Sequence, residues 1–241
     1  MQKRALDHQE IEWQFEAADL EPVDSWLQEH ASGSGLAVVP GATKELIDTY
    51  YDTEDWRLYR AGYALRLRRD GKSAEATMKS LAPAEGALRR RREISEPLEN
   101  GPKTPQRARG PVDERLRKLA GDRDLRPLFK VRTRRRSFAL HSERQSEKNG
   151  AVGEVALDEA EISGESEAPT LLSRVEVEVG ADAELHDGVA ELVDRMQDAL
   201  GLRPTELSKF ELGLSAAGLN PRGASDLGSE ERAERSGEDG R

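Results

Sequence analysis

The stretch GYALRLRRDGKSAEATMKSL, residues 62–81, predicts the structural unit from which the fold of this chain follows. Its centre is Asp-Gly at residues 70–71, a dipeptide favoured in tight β-hairpin turns because glycine adopts positive φ without a steric penalty. Leucines alternate with arginines before the turn, and alanine and methionine alternate with polar residues after it. Since successive side chains of a strand point to opposite faces, we predict a hairpin with one aliphatic face and one charged face that carries Arg66, Arg68 and Lys79.

The same alternation recurs elsewhere in the chain. Residues 10–15 and 172–179 alternate charged or polar with hydrophobic residues, and residues 86–96 place arginines and a glutamate on one parity. Strands of this kind expose one face when they belong to an open antiparallel sheet. Further strands are predicted at residues 36–39, 45–51, 128–141, 153–158 and 160–163, helices at 19–31, 54–60, 112–120 and 183–200, and a closing element at 207–214.

These elements predict a fold of the α+β class that is mainly β, a closed antiparallel barrel with a few flanking helices. One open sheet could not expose so many charged strand faces while burying so few of the opposite faces. If the strands close, the charged faces point inward and helices cover the aliphatic faces outside. This inverts the usual small barrel, whose interior is filled by side chains. Because unpaired buried charges are very unfavourable, the predicted lumen is wet or holds ions.

Composition excludes several classes of function. The chain has 241 residues, of which 36% are hydrophobic and 35% charged, and a formal net charge of -10. This charge argues against a general nucleic-acid or membrane-surface binder. Cysteine is absent, so disulfides, thiolate chemistry and cysteine-based zinc sites are excluded. The four histidines lack metal-ligand spacing and are interpreted as surface residues: His8, His30, His141 and His186.

The chain is predicted to form one domain with two unstructured ends. Residues 1–8 are interpreted as a flexible lead, residues 9–214 as the domain, and residues 215–241, rich in Gly, Ser, Glu and Arg, as a disordered acidic tail. The first residues, MQKRALDHQE, contain no apolar segment, and no run of 18 apolar residues occurs in the sequence. We therefore expect a cytoplasmic protein without a membrane partner.

The residues on the charged parity of the strands fall into two chemical groups. Clustered carboxylates suit hard divalent cations such as Mg²⁺ or Mn²⁺, which prefer oxygen ligands. Clustered guanidinium and ammonium groups suit phosphate oxygens. A polyanion with a bound metal ion would satisfy both groups, which points to triphosphate chemistry. The acids are Glu10, Glu12, Glu93, Asp158, Glu176 and Glu178, and the bases are Arg66, Arg68, Lys79, Arg135 and Lys209.

The alternative interpretation is a sheet whose charged face is simply solvated. Each Glu-x-Glu or Arg-x-Arg pair by itself is more often a solvated strand face than a site. The sequence contains no Gly-rich phosphate loop and suggests no Ser/His/Asp set. Only the joint pattern of acids and bases on several strands favours a shared channel.

Several motifs, in their order along the chain, resemble those of CYTH domains in the triphosphate tunnel metalloenzyme superfamily. They are HQEIEWQF, YYDTEDWRLYRAGYALRLRRDG, TMKS, RRREISEPL, ALDEAEI, RVEVEV and ELSKFELGL. The resemblance runs from about residue 10 to residue 214, and its middle block is the most specific. It implies an eight-stranded antiparallel tunnel that acts on inorganic triphosphate, thiamine triphosphate, RNA 5′-triphosphate ends or ATP with Mg²⁺ or Mn²⁺.

The resemblance also implies roles for individual residues. Glu10 and Glu12 stand where the family's opening Glu-x-Glu-x-Lys places metal-binding acids, and a metal ion there would activate water. Glu176 and Glu178 resemble the late metal-binding pair, to which Asp158 is added. The substrate-binding residues implied are Arg66, Arg68, Lys79, Glu93, Arg135 and Lys209.

Two departures from the family pattern leave the activity open. Gln14 stands where the opening motif has Lys, and Arg174 replaces an acid that often begins the late glutamate series. A neutral amide cannot compensate the negative charge of a phosphate as an ammonium group does, so turnover would be weakened or altered. The leading hypothesis is a metal-dependent triphosphatase acting on inorganic tripolyphosphate. The alternatives are a non-catalytic polyphosphate- or nucleotide-binding module, or an adenylyl cyclase or thiamine triphosphatase of the same fold.

Overall fold

The computed structural model describes residues 5–30, 35–98, 105, 109–143, 151–164, 168–179 and 186–222. The strands are β1 (Leu6–Glu16), β2 (Leu36–Pro40), β3 (Lys44–Thr53), β4 (Tyr63–Asp70), β5 (Ser73–Ser80), β6 (Leu88–Leu98), β7 (Leu125–Ser142), β8 (Gly153–Ser163), β9 (Thr170–Val179) and β10 (Arg203–Pro204). The helices are α1 (Glu21–His30), α2 (Arg57–Arg60), α3 (Pro111–Ala120), α4 (His186–Leu200) and α5 (Lys209–Ala216).

Eight of the strands close into an antiparallel barrel, as predicted. The order around the barrel is β1, β6, β5, β4, β3, β7, β8 and β9, and β9 then pairs with β1. Closure depends on the length of β1, whose first part pairs with β6 and whose last part pairs with β9. The two short strands lie beside the barrel, with β2 paired to the end of β7 and β10 to the end of β1.

The hairpin of residues 62–81 is formed by β4 and β5, and its two faces separate as predicted. Gly71 has a φ of 57°, which the tight turn requires. Leu65, Leu67 and Met78 are buried on the outer face, in a hydrophobic cluster with Leu116 of α3. Burying a side chain of this size stabilises the fold by roughly 1.5–3 kcal/mol.

The opposite side of the barrel buries its aliphatic face in the same way. Val175 and Val177 of β9 are fully buried in a cluster with Phe15 of β1. Side chains of α1 and α4, among them Leu27 and Leu192, complete this cluster. Helices therefore cover the aliphatic faces outside the barrel, which leaves the charged faces for the interior.

Helix α5 inserts an apolar plug into one end of the barrel. Phe210 packs against Tyr50, with ring centroids 5.5 Å apart, and Tyr50 stacks on Phe129 at 4.8 Å. Gly213 lies so close to this layer that a Cβ atom there would be 2.0 Å from Phe129. The closing element predicted at residues 207–214 is therefore mainly the helix α5, which packs against one end of the barrel.

The segment between β3 and α2 explains part of the YYDTEDWRLYRAG block. The Asp52 carboxylate accepts backbone N–H bonds from Thr53, Leu58 and Tyr59 at 2.7, 3.0 and 2.9 Å. Trp56 adopts positive φ, 56°, and its ring is buried. These residues fix a tight reversal before the hairpin, so this part of the most specific motif has a structural role.

Some boundaries differ from the prediction. The two strands predicted at 153–158 and 160–163 are one strand, β8, because its pairing with β7 and β9 continues through Glu159. Strand β1 begins at Leu6, within the segment interpreted as a lead, and α5 continues to Ala216. The domain of residues 9–214 and the tail stay predictions, since residues 1–4 and 223–241 lie outside the described residues. No helix among the described residues is long and apolar enough to cross a membrane.

Candidate active site

The charged strand faces line one cavity of about 720 Å³ inside the barrel. Its walls contain all of the predicted site residues except Asp158, together with Gln14. The charged and amide side chains in its lining include Glu10, Glu12, Gln14, Arg66, Arg68, Lys79, Arg91, Glu93, Arg135, Glu154, Glu176, Glu178 and Lys209. The predicted convergence of acids and bases is therefore present in the structure.

On one side of the cavity, the acids of β1 meet cations of β5 and β6. The Lys79 ammonium contacts Glu10 and lies 2.8 Å from Glu93. The Arg91 guanidinium contacts Glu12 and lies 3.2 Å from Glu10. Glu10 and Glu12 are almost completely buried, and the paired cations offset part of the cost of burying two carboxylates.

Across the cavity, two cations hold a second pair of acids. Arg135 donates two hydrogen bonds to Asp158, at 2.7 and 2.6 Å, and a third to Glu176 at 2.7 Å. Lys209, at the start of α5, donates to Asp158 and, at 2.9 Å, to Glu176. Asp158 is fully buried beneath these cations. Arg135 and Lys209 therefore pair with both acids without any bound metal ion.

A third ion pair lies on the β3–β4 wall. Arg68 donates two hydrogen bonds of 2.8 Å to Asp48, and Arg66 lies 3.7 Å from the same carboxylate. Burial by itself would raise the pKa of Asp48, but the charges of Arg68 and Arg66 outweigh this effect and hold that pKa well below its ordinary value. Asp48 therefore stays ionised and holds the side chains of Arg66 and Arg68 against the β3–β4 wall.

Glu178 differs from the other acids of the cavity. No described cation forms an ion pair or hydrogen bond with its carboxylate, although its side chain lines the cavity. The side chain of Glu178 is solvent-exposed within the lumen, but desolvation by the surrounding barrel raises its pKa to about 7, with an opposing contribution from Lys79 and a further one from the charges of Glu10 and Glu93. Among the predicted acids that line the cavity, Glu178 is therefore the one whose carboxylate is available to a bound cation.

The acids of the cavity are not arranged as a ready-made metal centre. Within the described residues, no three Asp, Glu or His side chains are grouped closely enough to hold an ion. The donor chemistry nevertheless suits Mg²⁺ or Mn²⁺, because carboxylate oxygens are the ligands that these ions prefer. Glu12 and Glu178 are direct cross-strand neighbours in the β1–β9 pairing, so this wall can supply two carboxylates to one ion.

The sequence interpretation missed three residues of the site. Arg91, on the same parity as Glu93, was not among the predicted binding residues, but it contacts Glu10 and Glu12. Asp48, on the predicted strand 45–51, orients Arg68, and Glu154 lines the cavity. The parity of Arg91 was a signal for its position. The role of Asp48 depends on the β3–β4 register, which places it opposite Arg68.

The two departures from the family pattern lie at different places. Gln14 lines the cavity, donates a 2.8 Å hydrogen bond to Glu12 and is the cross-strand neighbour of Glu176. Arg174 does not line the cavity; it is fully buried and donates to the Leu207 carbonyl at 2.9 Å. Only the Gln14 substitution therefore changes the charge of the cavity wall directly.

Comparison with known proteins gives a family and a fold. The family profile of the CYTH domain matches residues 8–210. No curated protein sequence matches the chain. HpAC1 of Hippeastrum, a candidate adenylyl cyclase with a dominant triphosphatase activity, is similar in structure with a TM-score of 0.55 and 17% identity, over 88% of this chain and 99% of that one.

Two further solved structures share the fold. PH1819 of Pyrococcus horikoshii gives a TM-score of 0.52 at 20% identity, over 86% of this chain and 98% of that one. A candidate adenylate cyclase of Bacillus halodurans gives 0.54 at 19% identity, over 83% and 94%. At these identities the likeness concerns the fold.

Proposed function

Because the chain belongs to the CYTH domain family, we propose that its barrel binds a small triphosphate and hydrolyses it, with inorganic tripolyphosphate as the substrate. The observation that carries the proposal is the convergence of arginine and lysine side chains from several strands and from α5 on one cavity of about 720 Å³. A solvated sheet face would not enclose these cations with so many acids.

The cations would bind the phosphoryl oxygens. Guanidinium groups form bidentate hydrogen bonds with phosphate, and charge-assisted bonds of this kind are about twice as strong as neutral ones. A triphosphate in the lumen would share these cations with the buried carboxylates, which keep the cations at the cavity wall. The proposed binding residues are Arg66, Arg68, Lys79, Arg91, Arg135 and Lys209, with Glu93 orienting Lys79 at 2.8 Å.

The proposed cofactor is Mg²⁺ or Mn²⁺, held by the two cross-strand carboxylates of Glu12 and Glu178. A divalent ion at these carboxylates would neutralise phosphoryl oxygens and make a bound water a better nucleophile. Glu176 and Asp158, which were also predicted as ligands, lie under Arg135 and Lys209. We propose that in the metal-free chain these two acids orient the phosphate-binding cations.

The absence of a stacking surface in the lining favours an inorganic substrate. Tyr50 and Phe210 are the aromatic residues among the described residues that line the cavity. Both rings pack against each other and against Phe129 at the α5 end. A purine or thiazolium ring would therefore find no free aromatic face in this part of the chain.

The test is phosphate release from tripolyphosphate with Mg²⁺ or Mn²⁺, beside ATP and thiamine triphosphate, with cyclic AMP quantified in the ATP reaction. We expect release from tripolyphosphate, abolished in Arg66→Ala and unchanged in the control Arg134→Ala, whose side chain pairs with Glu159 on the outer face. No release with either metal would refute the enzyme. Preferred turnover of ATP or thiamine triphosphate would refute the inorganic substrate.

Gln14 supports a second candidate function, a triphosphate-binding module without turnover. Its neutral amide donates to Glu12 at the position where the family motif has a charged Lys. This candidate predicts tripolyphosphate binding in calorimetry with negligible hydrolysis, and a gain of hydrolysis in Gln14→Lys. If Gln14→Lys leaves hydrolysis unchanged, Gln14 is not the cause of the deficit. The cytoplasmic location expected from the sequence stays a prediction.

A further inference from the structure

Two arginines inside the barrel form no ion pair with a carboxylate of the described residues. Arg89 of β6 is 3% exposed and Arg174 of β9 is 0% exposed, and neither lines the cavity. No acid among the described residues forms an ion pair or hydrogen bond with either guanidinium. The Nε atoms of both arginines and Nη1 of Arg174 have no hydrogen-bond partner among the described residues, so the bonds that the two guanidinium groups do form offset only part of the cost of their burial. The groups that these two arginines do bind therefore indicate their role.

Both arginines donate to one short segment of backbone. Arg89 donates to the carbonyls of Glu206 and Thr205 at 2.6 and 3.4 Å. Arg174 donates to the carbonyl of Leu207 at 2.9 Å and to the Thr205 hydroxyl at 3.3 Å. Three successive carbonyls are thus held by guanidinium groups from two strands, and we call this arrangement the carbonyl clamp.

The carbonyl clamp lies immediately before the start of α5. Ser208 is the N-cap of that helix: its hydroxyl accepts from the Glu211 N–H at 3.2 Å, and the Glu211 carboxylate accepts from the Ser208 N–H at 2.8 Å. Lys209 is the next residue, and its ammonium reaches Asp158 and Glu176. The position of this ammonium therefore depends on where the preceding backbone is held.

We infer that Arg89 and Arg174 are positioning residues, which act on the cavity through Lys209. The clamp fixes the backbone entering α5, and the helix cap carries that position one residue further, to the Lys209 side chain. The consequence for triphosphate binding rests on the proposed function, whereas the consequence for the placement of Lys209 does not. Arg174, in place of an acid, then tethers the backbone that leads into α5.

The first test is a double-mutant cycle, with tripolyphosphate binding measured by calorimetry without metal. We expect Lys209→Met to weaken binding by roughly 10- to 100-fold, the range for a lost charge-assisted hydrogen bond, and Arg174→Met by about tenfold. Because Arg174 acts through Lys209, the double variant should bind within about twofold of Lys209→Met. Multiplied losses in the double variant would overturn the inference, since they would indicate an independent structural effect.

The second test reads the placement of Lys209 directly, by trinitrobenzenesulfonate labelling of the lysines followed by mass spectrometry. We expect Arg174→Met to accelerate the labelling of Lys209 while that of Lys79, which also lies in the lumen, is unchanged. Arg136→Met is the matched control, because Arg136 tethers α1 through Glu21 and Asp24 on the outside of the barrel. Equal acceleration of both lysines, or none at Lys209, would overturn the inference.

Arg89→Met is the second variant, for the case that Arg174→Met does not yield folded protein. It removes the bonds to Thr205 and Glu206 and should accelerate Lys209 labelling in the same selective way. If the unmodified chain binds no tripolyphosphate, the proposed function fails. The labelling experiment then still decides whether the clamp positions Lys209.

Discussion

Strands β1 and β9 are neighbours in the barrel and carry the same Glu-x-Glu pattern, but their acids lie in different environments. Glu10 and Glu12 of β1 are both paired with cations of β5 and β6. On β9, Glu176 is held by Arg135 and Lys209, whereas Glu178 has no cation partner among the described residues. The pattern in the sequence therefore directs acids to the lumen, and the register of the neighbouring strands decides which of them remain available.

The strongest test of this comparison removes Asp158, which shares its cations with Glu176. Removing one partner of a buried ion pair costs about 3–5 kcal/mol because the remaining charges lose their compensation. We expect Asp158→Ala to lower the free energy of unfolding by this amount, measured by urea denaturation. Glu159→Ala is the control, since the neighbouring residue faces outward and its pair with Arg134 is exposed, so its change should stay within about 0.5 kcal/mol. Similar losses in both variants would contradict the inward assignment of Asp158.

Much of this arrangement could be predicted from alternation alone. The β4–β5 hairpin, the inward parity of β1 and β9 and the aliphatic outer faces all follow from a period of two. The pairing of Arg91 with Glu12 could not, because it depends on β1 meeting β6, which lies some 80 residues away in the chain. Nor does the segment 207–214 show a period that distinguishes a helix from a strand. Its helical form depends on the Ser208 cap and on packing against Phe129.

The second prediction concerns α5, whose Lys209 pairs with Glu176 of β9. In Gly213→Ala the new methyl group would lie 2.0 Å from Phe129. Overpacking of this kind costs about 1–3 kcal/mol, and we expect that loss in urea denaturation. Ser215→Ala, on the exposed side of the same helix, should be neutral within about 0.5 kcal/mol. Equal stability of Gly213→Ala and the unmodified chain would show that α5 does not pack into the barrel.

The third prediction addresses the β1 side. Arg91→Met removes the guanidinium that contacts Glu10 and Glu12, and we expect tripolyphosphate affinity in metal-free calorimetry to fall by about tenfold. Arg90→Met is the matched control, because the adjacent Arg90 side chain is 49% exposed and pairs with Glu85. A loss of affinity in Arg90→Met as large as that in Arg91→Met would place the binding surface outside the barrel.

The smallest expected effect concerns the unpaired acid itself, Glu178, because its side chain is solvent-exposed and screening reduces the effect of its pKa shift on stability. Its pKa lies at about 7 in the folded chain, above the ordinary value of 4.5, because desolvation by the surrounding barrel and the charges of Glu10 and Glu93 disfavour the ionised form against the opposing effect of Lys79. Between these two values the folded chain binds more protons than the unfolded chain, so stability falls as the pH rises. The stabilising contribution is fully present below pH 4.5 and is lost as the pH passes 7.

We therefore expect the metal-free chain to lose more stability between pH 5 and pH 8 than Glu178→Gln does, in urea denaturation at each pH. The amide keeps the size of the side chain but cannot ionise, so any remaining pH dependence belongs to other groups. Glu176→Gln is the contrasting variant: burial would raise the pKa of Glu176, but Lys209 and Arg135 outweigh this and hold it well below the ordinary value. If the pH profiles of Glu178→Gln and the unmodified chain coincide, the pKa of Glu178 is not raised. Its carboxylate would then be compensated by a cation, as Glu10 and Glu12 of β1 are.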